Sequence, residues 1–153
     1  MANREIMTLS GESVPCLNLV LPVGPGKPNV PEDVIVVQGL FLYIAKGFGS
    51  VEPLGLSARR DLPELTLLAD RKTFDAIRRF QVRWRRILLA ADGVIHPAQY
   101  RGRNVELYAA TRLRAITHLH QLAQESAARM NETDYTEHLP AVFPLLTPYI
   151  RRM

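Results

Sequence analysis

Apolar residues recur at intervals of three or four positions in three segments of the chain, and this spacing predicts helices with one buried face. The predicted helices cover about residues 30–46, 71–90 and 104–129. Gly47 and Gly49 end the first helix, and the Asp92-Gly93 turn separates the second from the third. The apolar stripes consist of Val34, Val37, Phe41 and Ile44; of Ile77, Phe80, Trp84 and Ile87; and of Val105, Ala109, Leu113, Ile116 and Ala123.

The segments before and between these helices are less regular. Residues 1–23 are predicted to form an N-terminal arm with a short strand over 17–23. A loop rich in glycine and proline follows and ends at Asn29, a residue type that caps helices. The connection over residues 47–70 is long for a compact domain, which predicts either a short extra helix at 62–68 or a functional loop.

The C-terminal segment, residues 131–153, carries Pro140, Pro144 and Pro148 at intervals of four, which exclude one long helix and predict short turns. The apolar residues between these prolines would either pack on the domain or hold a partner. We therefore predict a mainly all-α protein in which residues 24–130 form a small three-helix core. Residues 1–23 are an N-terminal arm of this core, and residues 131–153 are an apolar, proline-containing C-terminal extension.

Positive charge is concentrated in the second predicted helix. The chain has a net charge of +4, and seven basic residues between Arg71 and Arg86 stand against one acidic residue, Asp75. Such a cluster attracts carboxylates or phosphates, although a solvated helix face has the same composition. Nucleic acid is an unlikely partner, because the turn before the cluster lacks the short spacing of a helix-turn-helix motif.

The sequence contains no motif of an enzyme or a metal site. Cys16 is the single cysteine, and His118 and His120 would point to different sides of the third helix. Residues 24–27, GPGK, lack the first glycine and the hydroxyl residue of a phosphate-binding loop. We expect no cofactor and no catalytic residue, and we predict that the protein is not an enzyme.

Two further features bear on location. No run of about 18 apolar residues is present, so we expect no membrane span. The N-terminal residues lack the uninterrupted apolar stretch and the cleavage site of a signal peptide. We therefore expect synthesis in the cytoplasm without a signal peptide.

Two segments taken together resemble the peptidoglycan-binding-like domain, a small three-helix module that binds the cell wall. The resemblance covers about residues 24–97, and the chain lacks the family's Asp-Gly-x-Phe-Gly turn before the second helix. The matching positions are Asp33, Val34, Val37, Gln38 and Leu40 in the first segment, and Thr73, Ala76, Ile77, Phe80, Gln81, Asp92, Gly93 and Pro97 in the second.

The resemblance implies a shallow groove beside the helices for the stem peptide of peptidoglycan, whose free carboxylates suit amide and guanidinium donors. The two glutamines occupy the same relative place on two helices, where an amide can bond either a loop backbone or a ligand peptide. Trp84 also has core spacing, and Asp92 also fits a turn. The candidate ligand-binding residues are Gln38, Arg79, Gln81, Trp84 and Asp92.

The sequence-based hypothesis is thus a non-catalytic protein that binds peptidoglycan stem peptides, or targets the cell wall, and acts in the periplasm or cell envelope. A phage particle or a contractile secretion apparatus would deliver such a protein without a signal peptide. The alternative is a protein–protein adaptor of a secretion or toxin assembly that uses the same fold and binds an acidic protein partner.

Overall fold

The computed structural model of the protein describes residues 2–9, 12–98 and 114–151. Within these ranges the chain forms a three-stranded sheet, four α-helices and three short 3-10 helices. The strands are β1 (Ala2–Leu9), β2 (Glu12–Asn18) and β3 (Ile150–Arg151), and the α-helices are α1 (Pro31–Phe48), α2 (Arg71–Arg83), α3 (Ala115–Arg129) and α4 (Tyr135–Val142). The 3-10 helices are Glu52–Leu54, Arg59–Asp61 and Pro144–Tyr149.

The sheet corrects the prediction of an all-α fold, because the protein is mixed α/β with about half of its chain helical. The predicted N-terminal arm is a β-hairpin in which β1 pairs antiparallel with β2, from Asn3 opposite Asn18 to Leu9 opposite Glu12. β3 then pairs parallel with the start of β1, where Ala2 lies opposite Ile150. The strand order β2-β1-β3 joins the two ends of the chain. The hairpin was missed because side chains alternate every two residues along a strand, a pattern that helical spacing does not report. The pairing of Ala2 with Ile150 joins segments that lie far apart in the sequence.

Helix α1 lies at the centre of the core and agrees closely with its predicted range. Twelve of its residues are buried, on all sides of the helix, as expected for a helix surrounded by protein. Its closest neighbour is α3, and the Ser126 hydroxyl donates a hydrogen bond to the Tyr43 carbonyl oxygen at 2.8 Å. Gly47 permits this approach, since a Cβ atom there would overlap Ser126. On another side, the Phe41 and Phe80 rings pack with centroids 5.8 Å apart.

The ends of the helices differ in part from their predicted positions. Asp70 caps α2 by accepting a hydrogen bond from the Thr73 amide at 2.9 Å. Asn29, predicted as the cap of α1, instead folds back, and its Oδ1 accepts from the Gly24 amide at 2.8 Å. Val30 occupies the capping position without a side-chain bond. Asn29 has a φ of 49°, a left-handed conformation that closes the glycine- and proline-rich loop.

The second predicted helix is shorter than expected, the optional helix at 62–68 does not form, and the third predicted helix is described only in part. Helix α2 ends at Arg83 rather than near residue 90, and residues 84–87 form a turn. No helix forms at residues 62–68; the 3-10 helices of this connection lie earlier, at Glu52–Leu54 and Arg59–Asp61. The third predicted helix is described from Ala115 onward, and residues 104–113 of that prediction lie outside the described residues.

The C-terminal segment packs on its own domain. Leu139 of α4, Leu146 of the last 3-10 helix and Ile150 of β3 are buried in the core. Arg4 of β1 reaches across to the start of α4, where its guanidinium bonds Asp134 at 2.6 Å and Thr136 at 2.8 Å. The N-terminal hairpin, α4 and β3 therefore form one packed layer against α1.

Candidate functional site

Gln38, predicted to bind ligand, is completely buried and bonds the loop that leads into α2. Its Nε2, which carries two hydrogens, has three acceptors within hydrogen-bonding distance: Thr66 Oγ1 at 3.1 Å, the Leu68 carbonyl oxygen at 3.0 Å and Thr73 Oγ1 at 3.0 Å. Its Oε1 accepts from the amides of Thr66 at 3.0 Å and Leu67 at 3.3 Å. All of its hydrogen-bonding capacity is used inside the protein, so Gln38 does not face a ligand.

Gln81, on α2 itself, binds the backbone of the loop that follows this helix in the same way. It is buried, its Nε2 donates to the Val94 carbonyl at 2.8 Å, and its Oε1 accepts from the Gly93 amide at 2.7 Å. Each glutamine thus extends from a helix and binds loop backbone: Gln38 binds residues 66–68, and Gln81 binds residues 93–94. Of the two roles that the sequence allowed for these amides, the structure shows the loop-backbone role.

Asp92 belongs to the turn that Gln81 holds. Its Oδ1 accepts from the Val94 amide at 3.0 Å, and its Oδ2 lies 2.8 Å from His96 Nε2. Partial burial favours a raised pKa for the Asp92 carboxyl, but the hydrogen bonds from His96 and from the backbone outweigh it and lower the pKa. The carboxylate is therefore ionised and engaged with its own turn.

Trp84 and Arg79 fasten α2 to the connection that precedes it. The Trp84 indole Nε1 donates to the Pro53 carbonyl at 2.7 Å, and the ring meets the edge of His118 with centroids 4.4 Å apart. The Arg79 guanidinium lies 3.3 Å from an Asp61 carboxylate oxygen. Trp84 is half-buried, so one part of its ring packs on the protein and another part faces solvent. Its burial alone does not distinguish the core role from the ligand role that its position in the sequence allowed.

The structure does not gather the five predicted residues around one groove. It does form a groove of about 510 Å³ at the end of α2, and we call the residues that line it, 82–87, the arginine turn. Arg85 and Arg86 are exposed there, and neither has a carboxylate within salt-bridge distance among the described residues. Val82 is 52% exposed.

The surroundings of the arginine turn are positively charged. From Glu52 to Arg86 the chain has nine basic and five acidic residues, so this stretch alone accounts for a net charge equal to that of the whole chain. Another pair of exposed arginines, Arg59 and Arg60, lies outside the groove. The arginine turn thus combines two guanidinium groups that have no carboxylate partner among the described residues with apolar side chains on a positively charged surface.

The buried histidines have the properties of core residues. Burial lowers the pKa of His118, and burial lowers the pKa of His120 to about 3, so both rings are neutral near pH 7. The Tyr135 hydroxyl accepts a hydrogen bond from the Leu17 amide and lies 2.6 Å from His120 Nδ1. In the described residues, no three histidine, cysteine, aspartate or glutamate side chains converge as metal ligands would.

Sequence reasoning missed Arg85 and Arg86 as site residues because the second helix was expected to continue to residue 90. On a continued helix they would have been two positions of a solvated face. The available signal was the density of charge in the run Arg83 to Ile87, where three of five residues are arginine.

No protein-family model, curated protein or solved structure matches this chain. None of the helices in the described parts of the chain combines the length and apolar character needed to cross a lipid bilayer. The geometry of the arginine turn therefore carries the functional argument, together with the residues of the sequence motif.

Proposed function

We propose that this protein is a non-catalytic recognition module that binds the stem peptides of peptidoglycan through the arginine turn and acts at the cell envelope. The observation that carries the proposal is the pair Arg85 and Arg86 on a groove with exposed apolar side chains. Within the described residues, neither guanidinium group has a carboxylate partner. Stem peptides are short, bear free carboxylates and contain small apolar groups. A guanidinium binds a carboxylate through two parallel hydrogen bonds, which supplies both charge and geometry.

The resemblance to the peptidoglycan-binding-like domain supports the same ligand but not the same residues. Gln38 and Gln81, the positions that the motif first suggested, are occupied with loop backbone. Their burial supports a role for the motif in shaping the fold, with the ligand held on the neighbouring surface. Arg85 and Arg86 have no structural partner among the described residues, so their substitution tests binding without disturbing the core.

Incubation with insoluble sacculi followed by centrifugation tests this proposal. We expect the wild-type protein to pellet at low salt and to be released as the salt concentration rises. The double variant Arg85→Glu/Arg86→Glu should stay in the supernatant. The matched control is Arg59→Glu/Arg60→Glu, which changes the net charge equally on exposed arginines outside the groove.

Two results would overturn the proposal. One is a wild-type protein that stays in the supernatant at low salt. The other is an equal loss of pelleting in both double variants, because that would assign the attraction to net charge rather than to the arginine turn. Far-UV circular dichroism of each variant shows that the comparison is made between folded proteins.

A second candidate function is a protein–protein adaptor that binds an acidic, apolar segment of a partner. It is favoured by the exposure of large apolar side chains at and next to the groove, since Val82 is 52% and Leu89 57% exposed. A labelled peptide of alternating glutamate and leucine is a suitable probe, with binding read from fluorescence anisotropy.

The apolar side chains separate the two candidates. Leu89→Ser should weaken binding of the glutamate–leucine peptide and leave sacculus binding unchanged. Leu68→Ser is the matched control, because Leu68 is 68% exposed and lies in the connection before α2, whereas Leu89 follows the arginine turn directly in the sequence. Absence of peptide binding, or equal effects of the two serine substitutions, would remove the adaptor candidate.

A further inference from the structure

The 3-10 helix Glu52–Leu54 is held against α2 next to the arginine turn. Gly55, which follows it, has a φ of 74°, a conformation that favours glycine. A Cβ atom on Gly55 would also lie 2.7 Å from Arg83 Cβ, so only glycine permits this approach. The hydrogen bond from Trp84 Nε1 to the Pro53 carbonyl, at 2.7 Å, fixes the contact. The position of Glu52 relative to α2 is therefore defined.

Glu52 uses this position to bind Arg83. Its Oε1 accepts from Arg83 Nη2 at 2.9 Å and from Arg83 Nε at 3.2 Å. The Arg83 guanidinium also lies over the Trp84 ring, with its carbon 4.2 Å from the ring centroid. The ring and the carboxylate hold the guanidinium in one orientation at the edge of the groove, while Glu52 itself remains 69% exposed.

We propose that Arg83 is the anchoring site for a ligand carboxylate and that Glu52 is an intramolecular competitor that occupies this site in the free protein. The inference rests on the proposed function and identifies which group of the groove receives the ligand's charge. The ligand carboxylate replaces the Glu52 carboxylate on Arg83 Nη2 and Nε, and the displaced side chain turns into solvent. Arg85 and Arg86 then face the remaining charges of the ligand.

The exposure of the pair makes such an exchange feasible. An ion pair between exposed side chains is worth a factor of about five at most in an equilibrium, so a carboxylate with additional contacts can displace it. The Trp84 ring still packs against the Arg83 guanidinium after Glu52 leaves and keeps it in place. The ligand therefore meets a donor that is already oriented, which reduces the entropic cost of binding.

Titration with the soluble stem tripeptide L-Ala–γ-D-Glu–diaminopimelate tests this inference. Trp84 is the only tryptophan of the chain, so its fluorescence and its indole N–H resonance report directly on the groove. We expect Glu52→Gln to bind the tripeptide about threefold tighter than the wild type, because the competing charge is removed. Glu64→Gln is the matched control, since Glu64 is exposed and pairs with Lys72 at 3.8 Å rather than with Arg83.

Arg83 itself supplies the second test. Arg83→Lys keeps the positive charge but loses the planar pair of donors, and it should abolish the gain that Glu52→Gln produces when the two changes are combined. The indole resonance of the free variants checks that the hydrogen bond from Trp84 to Pro53 survives the Glu52 substitution.

Equal affinities of the Glu52→Gln and Glu64→Gln variants would overturn the inference even if the wild type pellets with sacculi, and the proposed function would then stand without it. A gain that persists in the combined Arg83→Lys variant would overturn it as well. Failure of both the wild type and Glu52→Gln to bind the tripeptide also contradicts the inference. The sacculus assay then shows whether the proposed function fails with it.

Discussion

The assignment of Gln38 as a clamp on the loop before α2 leads to a quantitative prediction. Replacing Gln38 with leucine keeps a buried side chain of similar volume but removes the hydrogen bonds that its amide makes with five groups, three of which share the two N–H donors of Nε2. The perturbation therefore isolates the polar function of the residue. If Gln38 were a ligand-binding residue, the same change would weaken binding and leave stability almost unaffected.

The loss of stability follows from what each bonded group retains. A neutral hydrogen bond contributes about 1 kcal/mol, and a buried group left without a partner costs about 1–3 kcal/mol. The Leu67 amide would have no other acceptor among the described residues. The Thr66 amide keeps the Glu64 carbonyl, and the Leu68 carbonyl keeps the Asp70 amide. We therefore expect Gln38→Leu to lower the free energy of unfolding by about 2–4 kcal/mol, less than five independent bonds would give.

Urea unfolding, followed by Trp84 fluorescence and by far-UV circular dichroism, measures this change. Gln121→Leu is the matched control, because Gln121 is half-buried and, among the described residues, its side chain bonds only His118 Nδ1, at 3.0 Å. We expect the control to cost about 1 kcal/mol or less. Leu67 has a left-handed φ of 63°, so its amide should exchange faster with solvent once the clamp is gone.

The clamp role of Gln38 is refuted if Gln38→Leu lowers the free energy of unfolding by no more than Gln121→Leu does. It is also refuted if the Leu67 amide exchanges at the wild-type rate in the Gln38 variant. A stable Gln38→Leu protein that no longer pellets with sacculi would instead return Gln38 to the ligand-binding residues.

Three further predictions concern stability. Arg4→Met should lower the free energy of unfolding by about 1–2 kcal/mol, because it breaks the contact with Asp134. Urea unfolding at low and high salt measures this loss, and a loss below about 0.5 kcal/mol would contradict the prediction. Gly47→Ala should cost about 3 kcal/mol or more because its Cβ would overlap Ser126, and an unchanged melting temperature would show that the α1–α3 contact is looser than described. The His120 pKa of about 3 lies below the ordinary value of 6.5, so the unfolded chain binds the proton first as the pH falls. Stability should therefore decrease by about 1.4 kcal/mol per pH unit below pH 6.5, and His120→Gln should flatten this slope in urea titrations between pH 4 and 7.

The elements predicted best are those that local sequence determines. Helix α1 was expected over residues 30–46 and is found at Pro31–Phe48, since its apolar spacing, first-turn proline and terminal glycine all lie within the element. The start of α2 at Arg71 was also predicted correctly, although its capping residue, Asp70, was not anticipated. These signals act through backbone conformation and neighbouring side chains, so they can be read without knowledge of the rest of the fold.

The elements predicted least well depend on contacts between distant segments. Helix α2 ends seven residues before the expected residue 90. At that point Trp84 bonds the Pro53 carbonyl, 31 positions away in the sequence. The hairpin of β1 and β2 is stabilised by its own pairing and by Arg4, whose partner Asp134 lies 130 positions later. Neither partner is visible from the pattern around the residue itself.

The candidate site shows the same division. The sequence indicated the motif around Gln38 and Gln81 and the excess of positive charge near α2, because both depend on residue type and spacing. It could not indicate whether the amides face a ligand or a loop, since that depends on which loop backbone the tertiary structure brings within 3 Å. The position of Arg85 and Arg86, which lack a carboxylate partner among the residues that the structure describes, likewise depends on where α2 stops.

By itself, the sequence determined the central helix, the start of α2, the lack of recognisable catalytic motifs and the location of the positive charge. The tertiary structure alone decided that the N-terminal segment is a hairpin, that the C-terminal segment belongs to the core, and that the two glutamines are clamps. It also decided that Arg83 pairs with Glu52, whereas Arg85 and Arg86 have no carboxylate partner in the part of the chain that the structure describes. The physical reason is that helix formation and charge are properties of short segments, whereas burial and hydrogen-bond partners are set by long-range packing.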